Sequence, residues 1–300
     1  MPLVVVGSVA LDTVETPTEK RENLLGGSGA YFSYAASYFT SVRLVSVVGE
    51  DWPAEHTELL QSRNIDTAGL QVVAGAKTFR WSGKYLQNMN DRETLDIQLN
   101  VMTQFDPVLP EAYTRCKFLF LANDPPALQL NVLKQCPGAT LTMADTMDLW
   151  INAERDTLME LLKHIDGMVL NDSEAKLLTG DDNMVRAGHK VREFGPRFVV
   201  IKKGEHGAMF FSKHETYVLP AFPTADVVDP TGAGDSFAGG MMGYLAEQGT
   251  FEPKTLKKAM AYGTVAASFT VEDFSLDRLK QIEREDLDHR MEAYRRMLSF

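Results

Sequence analysis

Short apolar runs, rich in β-branched residues and closed by glycine or polar residues, recur along the chain and alternate with stretches of helical spacing. Leu3–Val6 ends at Gly7, and 42–48 ends at Gly49; 118–121, 140–143, 168–170 and 198–201 follow the same form. A run with no polar face suits a strand buried on both sides, which is the environment of a parallel sheet covered by helices. Helical spacing fills the intervals at 30–39, 127–135, 155–164, 173–178 and 185–194. It then takes over the last quarter at 235–247, 253–267 and 284–298. Strand and helix in alternation predict βαβ units, hence an α/β fold with helices on both faces of the sheet.

One region breaks the alternation. Residues 78–86 (TFRWSGKYL) and 94–99 (TLDIQL) mix aromatic and polar residues in period-2 order around the polar turn 87–91. That pattern predicts a hairpin with an exposed face, outside the main sheet. The polar segment 13–24 is a candidate further strand beside it. Such an appendage suggests a lid, with an edge hairpin as the alternative.

Bulk properties bound the partners. A net charge of −11 over 300 residues opposes a nucleic-acid or anionic-membrane partner, whose phosphates reward clustered Lys and Arg. It does not oppose a nucleotide, which needs only a few local donors. No uncharged run of about 18 apolar residues occurs, and the opening MPLVVVGSVA lacks a basic leader, so a cytoplasmic setting is expected. Cys116 and Cys136 are not at metal-ligand spacing and are read as reduced, structural thiols.

The chemistry concentrates in 227–242, VVDPTGAGDSFAGGMM. An apolar strand end leads to Asp229 and Pro230, then to Thr231, Gly232, Ala233 and Gly234, with Asp235 opening a helix. Small residues let the backbone approach a ligand, and the first amides of a helix make an anion site. A carboxylate beside that site is placed to take a proton from an attacking hydroxyl, so the string suits phosphoryl transfer. The plain alternative is that Asp235 only caps the helix.

The string closely resembles the C-terminal signature of the ribokinase-like (PfkB) family of carbohydrate and nucleoside kinases, through Asp229, Gly232, Ala233, Gly234, Asp235, Ala238 and Gly239. Further matches follow in order along nearly the whole chain. Asp12 stands where the family has a substrate-binding aspartate, and Gly26-Gly27 where it has its paired glycines. Asn171 and Glu174 match its N-x-x-E motif, and Gly204 and Gly207 its G-x-x-G turn. The resemblance implies a three-layer α/β/α fold, with 1–12, 24–76 and 103–300 forming the catalytic domain and 13–23 with 77–102 a β-sheet lid.

It also implies an ATP-dependent kinase acting on a hydroxyl of a small sugar or nucleoside. Asp235 would be the base, and Gly232, Ala233 and Gly234 the anion hole. Asp12, Gly26, Gly27 and Tyr31 would face the acceptor. Asn171, Glu174, Lys202, Gly204, Gly207 and Thr231 would serve ATP, with Mg²⁺ reached from Asn171 and Glu174 through water. Asp229 would neighbour a monovalent cation such as K⁺, adenine would lie among 265–274, and two copies would pair through the lid. Two positions depart from the family pattern. Tyr31 replaces its substrate-holding Asn and, followed by Phe32, suggests stacking or a narrower pocket; with Phe79 and Trp81 these residues offer aromatic faces that suit a base. Lys202 replaces a Thr and either reaches a phosphate or ends a strand in solvent. A catalytically silent nucleotide-binding regulator of the same fold is the competing reading. A dinucleotide-dependent oxidoreductase is disfavoured, because Gly7-Ser8-Val9-Ala10 is not G-x-G-x-x-G.

Overall fold

The structure, a computed structural model, describes residues 1–299. The chain divides into two compact units: residues 1–106 with the chain from Phe222 onward, and Pro107–Ala221.

The first unit opens with strands β1 (Leu3–Val6), β2 (Ala10–Glu15), β3 (Lys20–Gly26), β4 (Val42–Gly49), β5 (Ile65–Val73), β6 (Arg80–Tyr85) and β7 (Arg92–Gln98). Helix α1 (Ser28–Ser37) joins β3 to β4, and α2 (Ala54–Ser62) joins β4 to β5. Strands β1, β4 and β5 run parallel, with Leu3 beside Val42 and Val42 beside Ile65. Every residue of β1 is buried, as its unbroken apolar run requires. A second, four-stranded sheet has the order β3-β2-β6-β7. Its outer pairs are antiparallel and its central pair, β2 with β6, is parallel. The hairpin read from 78–99 is thus present, but 13–24 supplies parts of two strands instead of one. Asp12 and Gly26 lie within this small sheet, because β2 begins at Ala10 and β3 runs to Gly26.

The second unit holds β8 (Phe118–Leu121), β9 (Leu141–Asp145), β10 (Gly167–Asn171) and β11 (Phe198–Lys202), all parallel. Then come β12 (Ala208–Ser212) and β13 (Thr216–Leu219), which fold back antiparallel. Its helices are α3 (Glu111–Thr114), α4 (Pro126–Gln135), α5 (Asp148–Ala153), α6 (Arg155–Leu162), α7 (Asp172–Thr179) and α8 (Met184–Glu193). Cys116 and Cys136 are buried here as free thiols.

The first unit resumes with α9 (Ala233–Gln248), α10 (Pro253–Thr270) and α11 (Arg284–Met297). Helix α9 is buried continuously from Ser236 to Ala246, so it is a core helix without a wet face. Side chains at Gly239 and Gly243 would strike the backbone of α1 at Phe32 and Ala36. The small residues of the signature therefore also set how closely α1 and α9 pack. No helix among the described residues is long and apolar enough to cross a membrane.

Candidate active site

Helix α9 starts two residues earlier than the sequence suggested. Its N-cap is Gly232, in the left-handed region at φ 74°, with no side-chain capping bond. Ala233, Gly234 and Asp235 form the first turn, so Asp235 sits at the third helical position and is not the cap. Its side chain is partly exposed. Ahead of it, the Thr231 amide donates to Asp229 Oδ1 at 2.9 Å, and the Thr231 hydroxyl pairs with the Tyr85 hydroxyl of β6 at 3.1 Å. The Ser275 amide reaches the other oxygen of Asp229 at 3.4 Å. Asp229 is fully buried, and burial raises its pKa despite these donors.

Asp12 on β2 joins this group. Its carboxylate accepts from the Gly27 amide, while Oδ1 has no protein partner. Any side chain at Gly26 would collide with that carboxylate, and one at Gly27 would meet the Ser8 carbonyl at 2.5 Å. The glycine pair is what lets an acid be buried here. Burial, then the charge of Asp229, push the Asp12 pKa up to about 8, with Asp235 adding to the rise. Three carboxylates, the start of α9 and an unpaired acceptor atom therefore converge in one unit.

Tyr31 is also present, in a different role from the one its sequence position suggested. Its ring is 2% exposed and lies against Gly232, where a Cβ would overlap it. It supports the loop from below and presents no open stacking face. Burial, with Asp229 and Asp12 next, raises its pKa well above the usual phenol range. Phe32 is wholly buried as core, whereas Phe79 and Trp81 remain partly exposed. In the stretch 265–274, only Ala267 and Val271, Glu272 and Asp273 keep partial exposure.

In the second unit, Asp145, Asn171 and Lys202 end the adjacent strands β9, β10 and β11, the edge at which open α/β sheets bind ligands. Asn171 and Glu174 form a reciprocal capping box: Asn171 Oδ1 accepts from the Glu174 amide at 2.8 Å, and Glu174 Oε2 accepts from the Asn171 amide at 2.7 Å. Lys202 is not a solvated strand end, since its ammonium pairs with buried Asp145 at 3.1 Å. Gly204 and Gly207 bracket a tight turn. Gly207 has φ 85°, and a Cβ there would run into the Leu219 carbonyl.

Sequence reading passed over several residues. Asp124 is 2% exposed with Oδ2 unpartnered, and burial alone pushes its pKa up to about 8. Its signal was its place just past an all-apolar strand. Tyr85, Arg92 and Asp145 carried no motif.

Comparison with known proteins agrees with this geometry. The model of the pfkB family carbohydrate kinases matches residues 3–281. A cytidine kinase of Thermococcus kodakarensis is 31% identical over 248 residues, covering 81% of this chain and 87% of that protein. The fold is shared with a Burkholderia thailandensis nucleoside kinase solved with inosine, at TM-score 0.79, 18% identity and 97% coverage of both chains. It is shared too with an Arabidopsis thaliana ribokinase solved with ribose and ATP, at TM-score 0.78 and 22% identity over 97% and 98% of the two chains. With its signature loop, buried acids and small sheet, the chain belongs to the pfkB family of carbohydrate kinases, enzymes that move a phosphoryl group from ATP to a sugar or nucleoside.

Proposed function

We propose that this kinase phosphorylates a nucleoside or its parent sugar, with Asp235 taking the proton of the attacking hydroxyl. The observation that carries the reading is the convergence of Asp12, Asp229 and Asp235 around the start of α9. Asp12 Oδ1, buried and without a protein partner, suits an acceptor hydroxyl, with Gly26 and Gly27 giving the close approach. The Ala233 amide donates to the Pro230 carbonyl at 3.2 Å, so within the first turn of α9 the Gly234 amide is the donor that suits the charge on a phosphoryl group in transit. The 31% identical relative is a cytidine kinase, which favours a nucleoside acceptor over a free sugar.

Asn171, Glu174, Lys202, Gly204, Gly207 and Thr231 are assigned to the nucleotide. The donor set fits Mg²⁺ held mainly by phosphates and water: among the described residues no group of three His, Cys, Asp or Glu is arranged to hold a metal ion, and Glu174 already serves its capping box. When bound, Mg²⁺ would offset charge on the phosphates. Asp229, buried and with a raised pKa, fits a nearby monovalent cation that would steady the loop. Strand β7 is the edge of the small sheet and every residue in it is exposed, which supports pairing of two copies there. A cytoplasmic setting, with both thiols reduced, completes the proposal.

The test is Asp235→Asn with ATP and a panel of ribonucleosides and ribose. A positioned base contributes about 10²–10⁴-fold, so kcat should fall at least about 100-fold while ATP binding persists. Turnover close to wild type on the best acceptor would remove the base assignment.

A further inference from the structure

The inner face of the small sheet carries residues that phosphoryl transfer itself leaves without a task. Asp12 on β2 is the register partner of Trp81 on β6, and Tyr85 on β6 is the partner of Arg92 on β7. Partners on neighbouring strands project to the same side, so Asp12, Trp81, Tyr85 and Arg92 share one face. That face is the one turned to the anion loop, since Tyr85 bonds Thr231.

Trp81 does not stand upright on it. A Cβ at Gly83 would overlap the six-membered ring of the indole, so the ring lies down over the bare backbone of Gly83. The indole N–H is turned to the Thr94 hydroxyl at 3.4 Å, which fixes the ring's rotation. The ring packs beside the cluster of Val14, Tyr85 and Phe274, yet keeps part of its surface open. The Arg92 guanidinium is 5.5 Å from the ring centroid, and its charge is felt by Asp12. The result is a flat aromatic plate, oriented by a hydrogen bond, with a cationic fork over it that also bonds the Tyr85 side chain, and an unpaired buried acceptor next door.

We propose that Trp81 and Arg92 read the base of a nucleoside acceptor, the indole by stacking and the guanidinium by donating to two adjacent acceptor atoms on the base edge. This deepens the nucleoside reading above and rests on it. An arginine fork matches neighbouring acceptors, which cytosine presents at O2 and N3 and guanine at O6 and N7. Uracil places an N–H between its carbonyls, and adenine sets a donor beside each such acceptor. The order of preference is therefore cytidine or guanosine first, then uridine and adenosine. Ribose gains nothing from either residue.

Steady-state kinetics at saturating ATP, with these four nucleosides and ribose, decide it. A bidentate arginine contact and a base–aromatic stack are each worth about tenfold or more in affinity. Arg92→Met should therefore raise KM for cytidine or guanosine at least about tenfold more than it raises the KM for ribose. Trp81→Ala should raise KM for all four nucleosides and not for ribose, with Trp81→Phe restoring much of the loss. If Trp81→Ala fails to fold, Trp81→Phe and Arg92→Met still carry the decision through the nucleoside-to-ribose ratio. A wild-type nucleoside kinase whose KM ratios neither residue moves overturns this proposal and leaves the acceptor reading standing. A wild type that phosphorylates ribose and no nucleoside overturns both.

Discussion

Gly232→Ala probes the loop on which the reading of the site depends. The residue sits at φ 74° as the N-cap of α9, a conformation that costs an L-residue about 1–2 kcal/mol. An added methyl would also overlap the Tyr31 ring, which is 2% exposed and has no solvent to swing into. Overpacking of a buried ring costs about 1–3 kcal/mol. The two sources together give about 2–5 kcal/mol, a large part of an ordinary domain's stability. Only the second source involves Tyr31. In the double variant Gly232→Ala/Tyr31→Ala the overlap disappears and the backbone strain stays. Urea unfolding of the two single variants and the double should show a coupling of about 1–3 kcal/mol, the double being more stable than the sum of the singles implies. Kinase assays on the same proteins should show Gly232→Ala lowering kcat if, as proposed, its loop meets the phosphoryl group. A cost below about 1 kcal/mol, or strict additivity, would refute the claim that Tyr31 packs beneath Gly232.

Three further outcomes follow from the same geometry. Burial raises the Asp12 pKa from 3.8 to about 8, so the unfolded chain ionises first and stability falls as pH rises from about 4 to 8. Asp12→Asn should flatten that slope in urea midpoints taken from pH 5 to 9, by on the order of 5 kcal/mol at its upper end; an unchanged slope would dismiss the buried acid as its source. In the second unit, Lys202→Met strands the 5% exposed carboxylate of Asp145 and should cost about 3 kcal/mol. Asp145→Asn leaves a lysine with more access to water and should cost less; the reverse order by thermal unfolding would argue against the pairing. Gly207→Ala faces a positive φ and the Leu219 carbonyl, so it should destabilise by at least about 2 kcal/mol, and a neutral result would mean that the turn re-forms around the methyl.

Burial accounts for part of what the sequence showed of this fold, although Ala208–Ser212 is almost wholly buried and still went unread. Phe118–Leu121 was legible to the residue because all four side chains are buried and nothing polar interrupts them. Ile65–Val73 went unread because β5 ends its sheet in the first unit, and its mixed exposure leaves polar residues throughout IDTAGLQVV. Thr216–Leu219 went unread for the same reason. At the candidate site, the signature string pointed to the loop that opens α9 and to Asp235 in its first turn. It did not reveal that Gly232 is the cap, because that depends on a backbone angle. Tyr31 was ambiguous for a different reason. An aromatic residue beside a glycine-rich loop is equally consistent with a stacking face and a packing floor. Only the overlap between its ring and position 232 decides. Arg92 depends on which strands become neighbours, and local spacing carries no trace of that.

The hydrogen bonds of the first unit also link the small sheet to the anion loop by two routes. Tyr85 of β6 holds the Thr231 hydroxyl, and the Thr231 amide holds Asp229. Asp229 accepts from the Ser275 amide, and the Ser275 hydroxyl donates to the Leu25 carbonyl of β3. The circuit leaves the sheet by one strand and returns by another, and each side chain in it is buried. A buried bond that breaks without replacement costs about 1–3 kcal/mol, so the sheet and the loop have strong reason to move as one body. On the proposed reading, an acceptor held at Asp12 would then bear directly on the loop at the start of α9. Asp229 thus serves the fold as well: its two oxygens tie the loop ahead of α9 to the segment after α10.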